Sequence, residues 1–355
     1  MLKDGNRLQM RIEYEVRNGN LVWIKNPITG VVSYVVDLTA KSFAFTLGGG
    51  AGAEPSDNAH PAVSAERISQ VTAGCPFCPG NEHLSPRELL RVGPEQVAGW
   101  QEKSGQDGVP WVVRAFNNLF PRIPDELTGD RNESYVVVED PRHFVDEPRS
   151  LDDFLFSGAL SEEHFFHLLA VDADVARRSL ANPAVHSVVI RKNQGRQSGA
   201  SQPHPHQQII GSPTALPALE AEARAQRENP ALWRELIELT ERFELMLTNV
   251  DGVISYASPI GTFPRSYDVI MPEFRGLITD LSRDQLRSFA RALHQILRIL
   301  GPMPLDYEIH QGHGLPLHAH VNARVYPYSN VAGTLNLPSS LIERTVAARH
   351  MLKRR

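Results

Sequence analysis

Short runs of alternating apolar and polar residues dominate the chain, broken by three longer stretches with the period of an amphipathic helix. Ile12, Tyr14 and Val16 alternate, turn at Asn18-Gly19-Asn20 and return through Leu21-Val22-Trp23-Ile24. This predicts a β-hairpin within residues 12–36, because Asn-Gly suits the tight turn of paired strands. A second turn from Asn26-Pro27 to Gly30 leads into the apolar run 31–36. Residues 47–66 are rich in Gly, Ala, Pro and Ser and read as a mobile loop. Their Gly48-Gly49-Gly50-Ala51-Gly52 is a linker and not a phosphate loop, since no Gly-Lys-Ser/Thr follows.

Beyond residue 78 helices and strands mix. Strands are predicted at 111–113, 134–138, 188–190, 254–256, 267–270, 307–309 and 317–321. Ser161 caps a helix reaching about Leu180, a second helix runs from about Pro230 to Leu247, and Ser282 with Gln285 forms a capping box for a third, ending near Leu300. The order repeats: an apolar strand ending at a proline, a capped helix, a strand, then His-X-His. The proline step is Asp140-Pro141-Arg142-His143 in the first half and Met271-Pro272-Glu273-Phe274 in the second, where the histidine is lost. Internal duplication with divergence of one site accounts for this pattern.

The chain has 355 residues, 41% hydrophobic and 22% charged, with a formal charge of -5. That length favours two domains or one duplicated domain. The charge offers nothing to nucleic acid or an acidic membrane, so an anionic ligand must be held by local donors. No apolar run is long enough to span a membrane and the start lacks an apolar signal region, so a cytoplasmic protein is expected.

Only two cysteines occur, Cys75 and Cys78. Cys-Pro-Phe-Cys reads as a metal half-site or a redox pair, and Pro76 with Pro79-Gly80-Asn81 favours a metal-binding knuckle. The run Ser201-Gln202-Pro203-His204-Pro205-His206-Gln207-Gln208 carries the sharpest chemistry. In extended backbone His204 and His206 share a face, and a neutral imidazole is a competent nucleophile toward phosphorus at pH 7. His143, past a strand end, and His204 are candidates to complete a tetrahedral site with the thiolates; taken alone, His143 also reads as a surface histidine.

Four stretches carry a resemblance to a family: residues 75–82, 113–121, 193–201 and 204–208, with Phe263-Pro264 and His318-Ala319-His320 in register further on. Over about residues 70–330 the chain resembles the galactose-1-phosphate uridylyltransferases of the histidine-triad superfamily. The resemblance implies an α+β fold of two duplicated histidine-triad-like halves, mainly an antiparallel half-barrel sheet with flanking helices. The expected division is an N-terminal segment 1–68, a first half 69–228 with zinc and nucleophile, and a second half 229–355. It further implies structural zinc on Cys75, Cys78, His143 and His204, and His206 as nucleophile. Gln208 would hydrogen-bond a phosphoryl oxygen, and Asn118, Asn193, Gly199 and Ser201 would contact the nucleotide.

A second zinc or iron is implied at His310, His318, His320 and Glu222, with Glu220 and His313 as competitors for two of the four places. The implied enzyme is a homodimeric nucleotidyltransferase of galactose and nucleotide-sugar metabolism. It moves a nucleoside monophosphate, UMP by resemblance, from a nucleoside diphosphate sugar to a hexose 1-phosphate. Rival readings are a phosphorylase or hydrolase on the same scaffold, with adenine or guanine as base, and a non-catalytic zinc-stabilised nucleotide-binding module.

Three departures bear on the substrate. Gln207 stands where the family has glycine, which is expected to narrow the approach of phosphate. The family's basic N-terminal segment is not recognisable in residues 1–68. The hexose-reading run with its glutamate is replaced by Val331-Ala332-Gly333-Thr334-Leu335-Asn336-Leu337-Pro338.

Overall fold

A computed structural model describes residues 11–36, 63–100, 108–261, 263, 265–324 and 339–343. The predicted hairpin forms as β1 (Tyr14–Arg17) and β2 (Asn20–Lys25), with Asn18 and Gly19 both at positive φ in the turn. It continues into β3 (Val32–Val36), which pairs in parallel with β14 (Ser339–Glu343) from the other end of the chain. Most of the predicted loop at 47–66 lies outside the described residues, and its last positions enter α1 (Ala65–Thr72), capped by Ser64.

The main body is a ten-stranded sheet. Its first half holds β4 (Glu88–Val92), β5 (Val113–Asn117), β6 (Ser134–Val138), β7 (Ser187–Gln194) and β8 (His206–Ser212). Its second half holds β9 (Met246–Val250), β10 (Val253–Ala257), β11 (Ser266–Met271), β12 (Leu305–His310) and β13 (Leu317–Ala323). The order across the sheet is β4-β5-β6-β8-β7-β12-β13-β11-β10-β9, antiparallel throughout. Each half therefore has one strand order, and the halves meet edge to edge at β7 and β12.

One helix sits at the same point of each half, α2 (Glu162–Leu180) before β7 and α5 (Arg283–Leu300) before β12. Both lie on one face of the sheet over Ile190, Ile209, Ile309, Val269 and Val321. Phe165 stacks on His294 between them at 4.9 Å, and Arg287 and Arg291 reach Glu163 and Glu162. The α+β reading and the duplicated, mainly antiparallel architecture hold.

The expected helix from Pro230 to Leu247 is wrong in extent. It is α4 (Leu232–Arg242), and an unexpected α3 (Pro217–Glu228), with proline in its first turn, precedes it. Glu244 takes φ +58 and reverses the chain, so Met246 and Leu247 enter β9 instead. Strand β5 begins at Val113, two residues later than the pattern suggests, and β4 and β14 were not anticipated.

Candidate active site and metal centres

Alternation on β7 and β8 divides the chemistry between the two faces of the sheet. His206 and Gln208 point away from the helices, as do Arg191 and Asn193, with Arg191 directly opposite Gln208. Gln207 and Lys192 point toward α2. Gln207 is fully buried there, so it does not narrow the phosphate approach; the expectation fails because one step along a strand reverses the side chain.

The cysteine turn is built as a knuckle. Cys78 N donates to Cys75 O at 3.2 Å, and the Asn81 side chain donates to the carbonyls of Cys75 and Thr72, both at 2.9 Å. Cys75 Sγ lies 3.7 Å from His204 Nδ1, and Cys78 Sγ lies 3.3 Å from His143 Nδ1 and 3.5 Å from His204 Nδ1. The two imidazole nitrogens are 3.3 Å apart. A tetrahedral zinc, with bonds of about 2.3 Å to sulfur and about 2.0 Å to nitrogen, spaces its ligands by about 3.3–3.8 Å. All four side chains are buried.

His204 Nε2 donates to the Asp140 carbonyl at 2.8 Å, which leaves Nδ1 as the lone-pair nitrogen aimed at the thiols. The hydrogen bond with Cys78, followed by those from His143 and His204, holds the Cys75 thiol far below its usual range, while the same bond and burial push Cys78 up. Two packed thiols of this kind become thiolates together only around a cation.

The second cluster joins Glu222 of α3 to the strand residues His310, His318 and His320, all four ligand atoms within 4.8 Å. His310 Nδ1 is 2.7 Å from Glu222 Oε1, and His318 Nε2 and His320 Nε2 are 3.4 and 3.7 Å from its carboxylate oxygens. The opposite nitrogens are fixed: His318 Nδ1 by the Pro316 carbonyl at 2.8 Å and His320 Nδ1 by Asp268 at 2.6 Å. Glu222 Oε2 and His318 Nε2 are buried 3.4 Å apart with no well-aligned hydrogen bond, so both lone pairs are available to a shared ion. Glu220 and His313 are exposed, and Glu222 and His310 are the ones that stand in the cluster.

His206 begins β8, beside Phe77 at 5.3 Å between ring centres. Its Nδ1 donates to the His204 carbonyl at 2.9 Å, so Nε2 carries the free lone pair. Burial pushes its pKa down to about 4, leaving the ring neutral near pH 7. Asn193, Gly199, Ser201 and Gln208 line one cleft with His206. Gly199 takes φ +85, and a Cβ there would meet the Asn193 amide at 3.4 Å. Asn118 does not line this cleft; it follows β5, and its side-chain oxygen accepts from Phe120 N at 3.0 Å.

Two cleft residues were missed, Arg122 and Arg191. Arg191 was legible in principle, since it stands two residues before Asn193 in a strand and so shares its face. Arg122, from the loop after β5, carried no sequence signal.

Comparison with known proteins identifies the fold. The chain shares 17% identity with a crystal structure of ADP-glucose phosphorylase from Arabidopsis thaliana with bound ADP-glucose, over 93% of this chain and 97% of that one, at a TM-score of 0.66. It shares 20% identity with a uridylyltransferase structure, over 76% of this chain and 94% of that one, at 0.59. The fold is that of the uridylyltransferases. In sequence, residues 129–303 match the family described as Domain of unknown function (DUF4921). The curated ADP-glucose phosphorylase of Arabidopsis thaliana is 22% identical over 176 residues, 44% of this chain, and the match spans 43% of that relative's length. Among the described residues no helix is long and apolar enough to cross a membrane.

Proposed function

We propose that the protein is a nucleotidyltransferase acting on a nucleoside diphosphate sugar through a covalent nucleotidyl-His206 intermediate. The observation that carries this reading is the tautomer of His206. With Nδ1–H held by the His204 carbonyl, Nε2 faces the cleft as a neutral nucleophile. It attacks the α-phosphorus, an N–P bond forms, and the bond to the bridging oxygen breaks to release a sugar 1-phosphate. The Nδ1 proton stays in place, so the phosphorylated ring is cationic and remains a good leaving group when an acceptor oxygen attacks. Gln208 accepts a hydrogen bond from Arg191 at 2.7 Å through Oε1, which turns its amide nitrogen toward the phosphoryl oxygens.

Zinc on Cys75, Cys78, His143 and His204 fits the buried donor set and would fix the backbone on which His206 stands. Glu222, His310, His318 and His320 would hold a second zinc or iron with a structural role. The relative that binds ADP-glucose favours a phosphorylase over a UMP transferase as the form this chemistry takes, with UDP-glucose and a hexose 1-phosphate as the competing pair.

His206→Gly is expected to abolish nucleotide transfer from ADP-glucose or UDP-glucose while metal content stays at the wild-type level. Full activity in that variant would sink the assignment.

A further inference from the structure

Arg122 and Arg191 stand at the cleft with nothing in the expected site to explain them. They come from different elements, the loop after β5 and the middle of β7, and each feels the other's charge. Arg191 is half-buried, one of its nitrogens holds Gln208, and its Nε is buried without a partner. The carboxylates across from it on β12 are engaged elsewhere: Asp306 with Arg324 and the Asn322 amide, Glu308 toward His310 at 3.4 Å. Two adjacent guanidinium groups without a carboxylate within ion-pair reach form a site for an anion.

The rest of the lining sharpens the point. Among the described residues that line the cleft, none besides His206 has a side chain of the kind that serves as a general base, and in the nucleotidyl-enzyme its lone pair is taken up by the N–P bond; the others are amides, a hydroxyl, small residues and the two arginines. Water attacking the nucleotidyl-enzyme must lose a proton to a base, whereas a phosphate dianion attacks with its own oxygen and needs none. In-line displacement also makes the leaving group depart opposite Nε2, and the acceptor must enter from that same side. One anion subsite therefore serves both.

We infer that Arg122 and Arg191 form the subsite that grips the phosphate of the departing sugar 1-phosphate and of the incoming acceptor, so that the acceptor is a phosphate anion and not water. This rests on His206 being the nucleophile. Arg191 has a second, positioning part, since it also orients Gln208.

The test uses the full-length protein with Arg122→Gln, Arg191→Gln and Arg191→Lys. Nucleotidyl-enzyme is formed from α-labelled ADP-glucose or UDP-glucose and discharged with inorganic phosphate, glucose 1-phosphate or water alone; binding of labelled inorganic phosphate is measured separately by equilibrium dialysis. We expect the ratio of phosphate-driven to water-driven discharge to fall at least ~10-fold in each glutamine variant, the loss expected for one charge-assisted contact, with weaker phosphate binding and partial recovery in Arg191→Lys. An unchanged ratio and unchanged phosphate affinity in both glutamine variants would overturn the subsite, as would water discharging the wild-type adduct as fast as phosphate does. If the wild type forms no adduct, the proposed reaction falls, and phosphate binding alone then decides: dependence on the arginines keeps the anion site, independence removes it.

Discussion

Lys192 and Glu139 form an ion pair directly behind the reactive loop, with side chains 1% and 0% exposed. Glu139 also accepts from Ser157 Oγ at 2.6 Å, its backbone N–H donates to Pro205 O at 3.1 Å, and its carbonyl contacts His164 Nε2 at 2.7 Å. Pro205 lies between His204 and His206, so this pair backs both the proposed metal ligand and the proposed nucleophile. Burial and the neighbouring Glu139 charge push Asp172, on the same side, well above the usual carboxyl range. Lys192→Met keeps most of the stem volume but strands the Glu139 carboxylate in a fully buried site. Breaking a buried pair in this way costs about 3–5 kcal/mol. With a urea slope of about 3 kcal/mol per molar, the unfolding midpoint should fall by about 1–1.7 M. The assay is urea unfolding at pH 7 followed by tryptophan fluorescence, with Lys192→Met/Glu139→Gln as the closing corner of a double-mutant cycle. The double variant should recover most of the loss, because neutralising Glu139 removes the stranded charge. A single variant within about 0.3 M of wild type, or a double as unstable as the single, would refute the reasoning.

Two further outcomes follow from the same geometry. Cys78→Ser should lower bound metal by about one ion per chain in elemental analysis and lower the thermal midpoint, because a four-ligand structural site loses a thiolate; unchanged metal content would remove Cys78 from the ligand set. His294, stacked on Phe165 between α2 and α5, has its pKa lowered to about 4 by burial, then by Arg298, against opposing contributions from Glu162 and the Ser157 and Leu160 backbone. Its folded pKa lies below the unfolded value of about 6.5, so between these the unfolded chain binds more protons and stability falls as pH falls, by at most about 3 kcal/mol from this group. His294→Leu should flatten the dependence of the urea midpoint on pH between 6.5 and 4, and an identical slope in both proteins would contradict this.

The sequence made the duplicated frame legible because strand, capped helix and His-X-His recur in order, and helices α2 and α5 announce themselves by serine caps. Cys75 with Cys78 and the two His-X-His pairs were legible from spacing, which survives translation into turns and strands, whereas the full clusters with His143, Glu222 and His310 were expected from the family resemblance. What stayed hidden depends on pairing between distant segments. That Arg191 faces Gln208, and that Glu308 lies between Arg191 and His320 across three strands, follows from register, which no local pattern encodes. Gln207 shows the same limit in reverse: its place beside the reactive residues in sequence puts it on the opposite face in space. Helix α3, which carries Glu222, was hidden because Pro217 and a run of alanines and glutamates gave no apolar stripe to read.

In the proposed reaction His206 carries the nucleotide. The direct measurement is peptide mapping by mass spectrometry after acid-free quenching of the protein with α-labelled ADP-glucose or UDP-glucose. About one nucleotidyl group per chain is expected, on the peptide containing His206, with sugar 1-phosphate released in equal amount. Turnover of either sugar nucleotide with no adduct, or with label on another residue, would contradict it.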